Sequence, residues 1–278
     1  MGYHRLKTWL QNKVGIGENR DRLNQLEARV HALAALHHLH LPEVLRLPDE
    51  VLSAAWHSLP IEFQGAERGI HRSDPMLLYP LAVSGGDWSR CLTEYYQTGA
   101  HMAEVLRQLA PASRSVLDFG GGFGRVGRFL PLAFPDAARW VVDPKPQAVA
   151  FQEKAFGARA LQTQTQVELV FAGSVFTHLQ PEDARTALER IYQVLQPGGR
   201  AVLTAHIASP SSPSWESHPW TEETALPELE DSLSKARYSS VVVSDAAWQD
   251  LLQTVGFTSV QKTDARFGGT QAVWVARR

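Results

Sequence analysis

The chain has 278 residues, 44% hydrophobic and 20% charged, the balance of a globular protein with room for one large α/β domain and an appendage. Its formal net charge of −2 speaks against a dedicated nucleic-acid binder, which needs an excess of Lys and Arg to neutralise phosphates, although a local basic patch stays allowed. A single cysteine, Cys91, excludes an intrachain disulfide and a Cys-based zinc site.

The N-terminal end carries no apolar stretch of signal-peptide type, and no apolar run approaches the roughly 18–20 residues that cross a bilayer. Leu6 stands where a myristoylation signal wants Ser or Thr. The reading is a cytoplasmic protein with neither a membrane nor a nucleic acid as partner. Leu23, Leu26, Val30 and Leu33 recur at helical steps, and this face serves either self-association into a homo-oligomer or packing on the chain's own domain. His37 and His40 have a metal-ligand spacing but no acidic or Cys partner at a familiar distance, so no metal site is assigned. Pro42 and Pro48 break that helix, and Asp49-Glu50 opens a short one. Positions 61–90, rich in Gly and Pro, read as loop with short pieces of structure. Helix returns over 93–109, with Met102, Val105, Leu106 and Leu109 on one face.

From Ser115 onward short apolar runs alternate with helical stretches, the pattern of a parallel sheet flanked by helices. The expected strands are 115–119, 138–142, 158–161, 168–173, 199–206, 257–264 and 270–277. The expected helices between them are 124–133, 146–155, 181–195 and 244–255; Gly198 can end the third in a left-handed conformation, and Pro197 prevents its continuation. The link around Gly268-Gly269 is too short for a parallel crossover, so the last two strands should run antiparallel.

The chemistry is concentrated where strand 115–119 meets Gly120-Gly121-Gly122-Phe123-Gly124-Arg125, a glycine-rich turn that lets a ligand approach the backbone. Gly122, Gly124 and Gly127 satisfy the dinucleotide spacing G-x-G-x-x-G. Asp118, Gly120, Gly122 and Gly124 satisfy D-x-G-x-G-x-G. A carboxylate there suits an ammonium and would repel a pyrophosphate. Asp143-Pro144 ends the second strand, where an acid can accept hydrogen bonds from both ribose hydroxyls or cap the following helix.

Asp118 through Gly124 resembles motif I of class I S-adenosylmethionine-dependent methyltransferases. Val170 through Leu179, the turn Leu195-Gln196-Pro197-Gly198-Gly199-Arg200 and the closing hairpin Gly256 to Val275 resemble the family's later segments in order. The resemblance covers about 115–278. It implies a Rossmann-like, seven-stranded, mostly parallel sheet of order 3-2-1-4-5-7-6 with the last strand antiparallel. The methyltransferase domain would span 91–278, a helical extension or cap 1–90, and a lid or substrate loop 207–240. The cofactor implied is S-adenosyl-L-methionine, held by Asp118, Gly120, Gly121, Gly122, Gly124, Asp143, Pro144, Ser174 and Phe176. Tyr95, Tyr96 and Thr98 on the upstream helix would close over it, with core packing as the other role for the two tyrosines. Many family members carry an acid or amide after the third strand; here Gln162 or backbone and apolar packing meets the adenine. His178 and His206, at the ends of the fourth and fifth strands, are the catalytic candidates, each suited to general-base work at neutral pH and each able instead to be a packed, hydrogen-bonded histidine. Trp215 and Trp220 either wall the acceptor site or pin the loop. The acceptor would be a small molecule or glycan, methylated on oxygen or nitrogen. Two other readings remain: a non-catalytic methyltransferase-like scaffold, and an oxidoreductase using a nicotinamide dinucleotide, for which no Tyr-x-x-x-Lys pair is found.

Overall fold

The computed structural model describes residues 43–47, 49–83, 86–208, 215–219 and 239–278. The helical face at Leu23–Leu33, the His37/His40 pair and Trp220 lie outside them.

Seven strands form the central sheet: β3 (Ser115–Phe119), β4 (Ala138–Val142), β5 (Arg159–Ala160), β6 (Val167–Ala172), β7 (Leu195–Ala205), β10 (Ser259–Phe267) and β11 (Gln271–Arg277). Across the sheet they run β10-β11-β7-β6-β3-β4-β5. Counted within the sheet this is 3-2-1-4-5-7-6, and β11 is antiparallel to both its neighbours, as expected. The β10–β11 link turns at Gly268 and Gly269, both at positive φ.

Period-two alternation divides the strand residues between two cores. Val116, Leu169, Val202 and Val273 face one side, where helix α3 (Trp88–Leu109) lays down Leu92, Tyr95, Met102 and Leu106. Leu117, Val170, Leu203 and Trp274 face the other, against Leu188 and Ile191 of α6 (Pro181–Val194) and Trp248 and Leu252 of α7 (Asp245–Val255). The described part of the N-terminal extension shares the first core. Its helices α1 (Asp49–His57) and α2 (Pro75–Val83), and the small antiparallel pair β1 (Val44–Leu45) and β2 (Ile70–His71), contribute Leu52, Trp56, Ile70 and Leu77 to it. Helix α3 seats against the glycine turn at Gly99, where a Cβ would strike the main-chain oxygen of Arg125.

Two local expectations are corrected. The helix expected over 124–133 is interrupted: a 3₁₀ turn, Gly127–Phe129, leads into the four-residue α4 (Leu130–Ala133). Gly124 sits at φ +76°, outside helical space, and Pro131 cannot donate the main-chain bond a continuous helix would need. The Pro197-Gly198-Gly199 turn does not cap α6. Helix α6 ends on Leu195 in an extended conformation, and the turn is a bulge inside β7, where pairing with β6 jumps from Val167–Leu195 to Leu169–Arg200. In the 207–240 segment, β8 (Trp215–Pro219) pairs antiparallel with β9 (Ser239–Val243), so the described part is a two-stranded ribbon. No described helix is long and apolar enough to cross a membrane.

Candidate active site

A cleft of about 600 Å³ opens at the C-terminal edge of the parallel strands, the usual ligand crevice of open α/β sheets. Asp118, Gly120, Gly121, Gly122, Asp143, Pro144, Ser174 and His178 all line it. Gly124 stands behind the turn at positive φ, and a Cβ there would collide with the Phe156 ring. Four other expected residues lie away from the cleft lining. Tyr96 is fully buried and donates its hydroxyl to the main-chain oxygen of Arg68 (2.6 Å). Thr98 is half-buried on α3. Phe176 packs edge-on against Trp248 (5.0 Å) in the second core. His206 is half-buried, and its main-chain oxygen accepts from Val243 N. Loss of hydration lowers the pKa of His206. Trp215 packs against Trp248 (6.4 Å) and so pins the ribbon to the domain.

Asp118 is the most costly group in the site. It is 3% exposed, and its Oδ2 has no hydrogen-bond partner. Burial, and then the neighbouring charge of Asp143, push its carboxyl up to about 7, with Gln152 offsetting part of the rise. Gly121 leaves the space beside it free, since a Cβ would lie 2.6 Å from Oδ2. Asp143 is better provided for: Oδ2 accepts from Gly122 N (2.8 Å) and Oδ1 from Lys145 N (2.9 Å). Those bonds form a local turn and leave α5 (Pro146–Phe156) without a side-chain cap. Burial raises the Asp143 pKa as well, and the two main-chain bonds oppose the rise.

The main-chain donors of the turn's four glycines are already engaged. Gly120 N and Gly121 N point to Val142 O (2.7 and 3.4 Å), Gly122 N to Asp143, and Gly124 N to Gly121 O (3.0 Å). A diphosphate would find a buried acid in place of a row of free N–H groups. An ammonium, in contrast, fits the unpartnered Asp118 oxygen.

Opposite this turn, Ser174 is the one non-glycine at positive φ (60°) among the described residues. Its N donates to Thr204 Oγ1 (2.8 Å), its Oγ accepts from Gln271 Nε2 (2.8 Å), and Thr204 Oγ1 donates to Gln271 Oε1 (2.6 Å). Three strand ends thereby hold a strained backbone in place, a pattern typical of functional sites. His178 lies one turn further on, half-buried, with its N donating to Val175 O (3.3 Å).

Among the lining residues to which sequence reasoning gave no role are Asp74 and Arg125. Asp74 is 1% exposed and accepts from Tyr95 Oη (2.6 Å) and Met76 N (2.9 Å). Tyr95 Oη in turn accepts from Arg128 Nη2 (2.9 Å). Arg128, itself fully buried, donates to the main-chain oxygens of Glu67, Gly69 and Gly124. This bolt fastens the N-terminal extension to the glycine turn. An acid followed by Pro75 at a helix start was its only sequence signal, and that pattern reads as a cap. Beyond Phe119, Val142 and Arg190, which it shares with the cleft, a second hollow is lined by Leu161 and Gln162.

Residues 117–201 match a family model described as a methyltransferase domain. No curated protein matches the sequence. Among solved structures, a candidate O-methyltransferase from Nostoc punctiforme is 14% identical with a TM-score of 0.51, the match covering 93% of this chain and 72% of that one. PigF, solved with S-adenosylhomocysteine, is 18% identical with a TM-score of 0.50, covering 90% and 73%. These likenesses establish the fold. Over residues 117–201 the chain carries a methyltransferase domain.

Proposed function

We propose that the protein is a class I S-adenosylmethionine-dependent enzyme that transfers the donor's methyl group to an oxygen or nitrogen of a small molecule or glycan, with 91–278 as the catalytic unit and 1–90 as a cap beside the cleft. The observation that carries this reading is a cleft of small-ligand size with an unpartnered buried carboxylate at one end and His178 on its wall. S-adenosylmethionine, when bound, supplies a methyl group already activated on a sulfonium. The protein's work is then alignment and exclusion of water. Asp118 holds the ammonium of the amino-acid tail, and Asp143 accepts from the ribose hydroxyls. Leu161 and Gln162 flank the adenine end. Ser174, held by Gln271 and Thr204, shapes the floor near the reacting carbon. His178 takes the proton from an acceptor hydroxyl or amine. His206, Phe176, Tyr96 and Thr98 support the fold around the site, and Trp215 anchors the ribbon. The N-terminal helices are proposed as the contact for a homo-oligomer, and the protein is proposed to work in the cytoplasm, free of nucleic acid and membrane.

The test is donor-dependent formation of S-adenosylhomocysteine across a panel of phenols, sugars and amines. With an accepted substrate, His178→Asn is expected to lower turnover by about 10²–10⁴-fold while S-adenosylhomocysteine affinity holds. Unchanged turnover in the variant would remove His178 from the chemistry. A folded protein that does not bind S-adenosylhomocysteine would contradict the whole reading.

A further inference from the structure

We propose that Arg125 receives the α-carboxylate of the donor, forming with Asp118 a two-ended clamp for its amino-acid tail; the proposal rests on the cleft holding S-adenosylmethionine as described above. A zwitterionic tail brings an ammonium and a carboxylate into the same crevice. Asp118 accounts for the ammonium. A carboxylate left without a partner there would lose its hydration uncompensated.

The glycines of the turn do not supply that partner, because the N–H groups of Gly120, Gly121, Gly122 and Gly124 are bonded within the protein. Three cationic side chains line the cleft: Arg125, Lys145 and Arg190. Lys145 follows directly on Asp143, whose carboxylate its main-chain N–H meets, and so belongs to the ribose end. Arg190 stands where the cleft joins the hollow lined by Leu161 and Gln162, at the adenine end. Arg125 alone arises from the glycine turn.

Its guanidinium lies over the Phe267 ring, 4.8 Å from the centroid, and makes no hydrogen bond or ion pair with any described residue. Phe267 is fixed in turn by an edge-on contact with Phe171 (5.8 Å). The nearby acid, Asp74, is occupied by Tyr95 and Met76 N. The result is a planar, always-charged fork on an aromatic shelf whose donors meet no described residue, suited to bidentate capture of a carboxylate.

The experiment is calorimetric titration of the full chain, wild type and Arg125→Gln, with three probes. These are S-adenosylhomocysteine, its decarboxylated analogue, and 5′-methylthioadenosine, which lacks the tail. Wild type is expected to prefer S-adenosylhomocysteine over the decarboxylated analogue by about ten- to one-hundred-fold. Arg125→Gln should erase that preference by weakening S-adenosylhomocysteine alone, and binding of the other two probes reports that the cleft is folded. Arg125→Lys should restore part of it. The proposal is overturned if wild type shows no such preference, if the preference survives in Arg125→Gln, or if all three probes weaken alike. Absence of S-adenosylhomocysteine binding by wild type is a separate result, which would strike the donor assignment itself.

Discussion

Asp118→Asn is expected to make the ligand-free protein more stable above pH 7 and, at the same time, unable to hold its donor. The Asp118 carboxyl is buried beside Asp143, and its pKa rises from the usual 3.8 to about 7. A raised carboxyl favours the folded state most below pH 4 and loses that contribution as pH climbs through 7. The difference amounts to about 4 kcal/mol by pH 8. An uncharged amide of the same shape removes this pH dependence. Urea unfolding at pH 8 should therefore show the variant more stable by a few kcal/mol, the two proteins converging near pH 4. Affinity for S-adenosylhomocysteine should fall by about 100-fold or more, because the ammonium loses a desolvated charge partner. A variant less stable than wild type at pH 8 would mean that Asp118 is paired in the free protein.

The second large effect belongs to Arg128. Its guanidinium is 1% exposed, bonded to the main-chain oxygens of Glu67, Gly69 and Gly124 and to Tyr95 Oη. It also lies over the rings of Tyr95, Tyr96 and Phe156. Arg128→Leu keeps apolar bulk but takes the guanidinium donor from the Glu67 and Gly69 carbonyls and leaves the Asp74–Tyr95 pair without its cation. Removing one member of a buried charged network costs about 3–5 kcal/mol. Chemical denaturation should show a loss of that size. Arg128→Lys should recover little, since one ammonium cannot reproduce the fork that reaches both the extension and the glycine turn. A loss below about 1 kcal/mol would show that the bolt is dispensable.

Much of this architecture is legible in the sequence because it rests on local signals. Each sheet strand is a short apolar run between turn residues, and Gly268-Gly269 dictates a hairpin. Asp118 and Asp143 stand out because each ends a strand beside a glycine or proline turn. Features that depend on distant partners are not legible. Tyr95 reaches Asp74 across 21 positions and Arg128 across 33, so the tyrosine pair on α3 suggested a cofactor contact where the structure spends both hydroxyls on the extension. The break at 124–133 depends on Gly124 backing onto Phe156, which comes from α5. Phe176 looks like a site residue by position, but the turn after β6 buries it against Trp248, and Val175 lines the cleft wall in its place. Arg125 reads as part of the helix expected over 124–133 until Phe267, from the far edge of the sheet, is seen beneath it.

The central claim is that a buried acid after the first sheet strand meets an ammonium. Proton release on ligand binding tests it directly. With a pKa of about 7, Asp118 is protonated in most free molecules at pH 6, and pairing with an ammonium requires it to ionise. Titrating S-adenosylhomocysteine at pH 6 in two buffers of different ionisation enthalpy should report release of about 0.9 proton per ligand bound. The release should vanish at pH 8.5. Binding at pH 6 with no proton released, or with the same release from Asp118→Asn, would contradict the assignment.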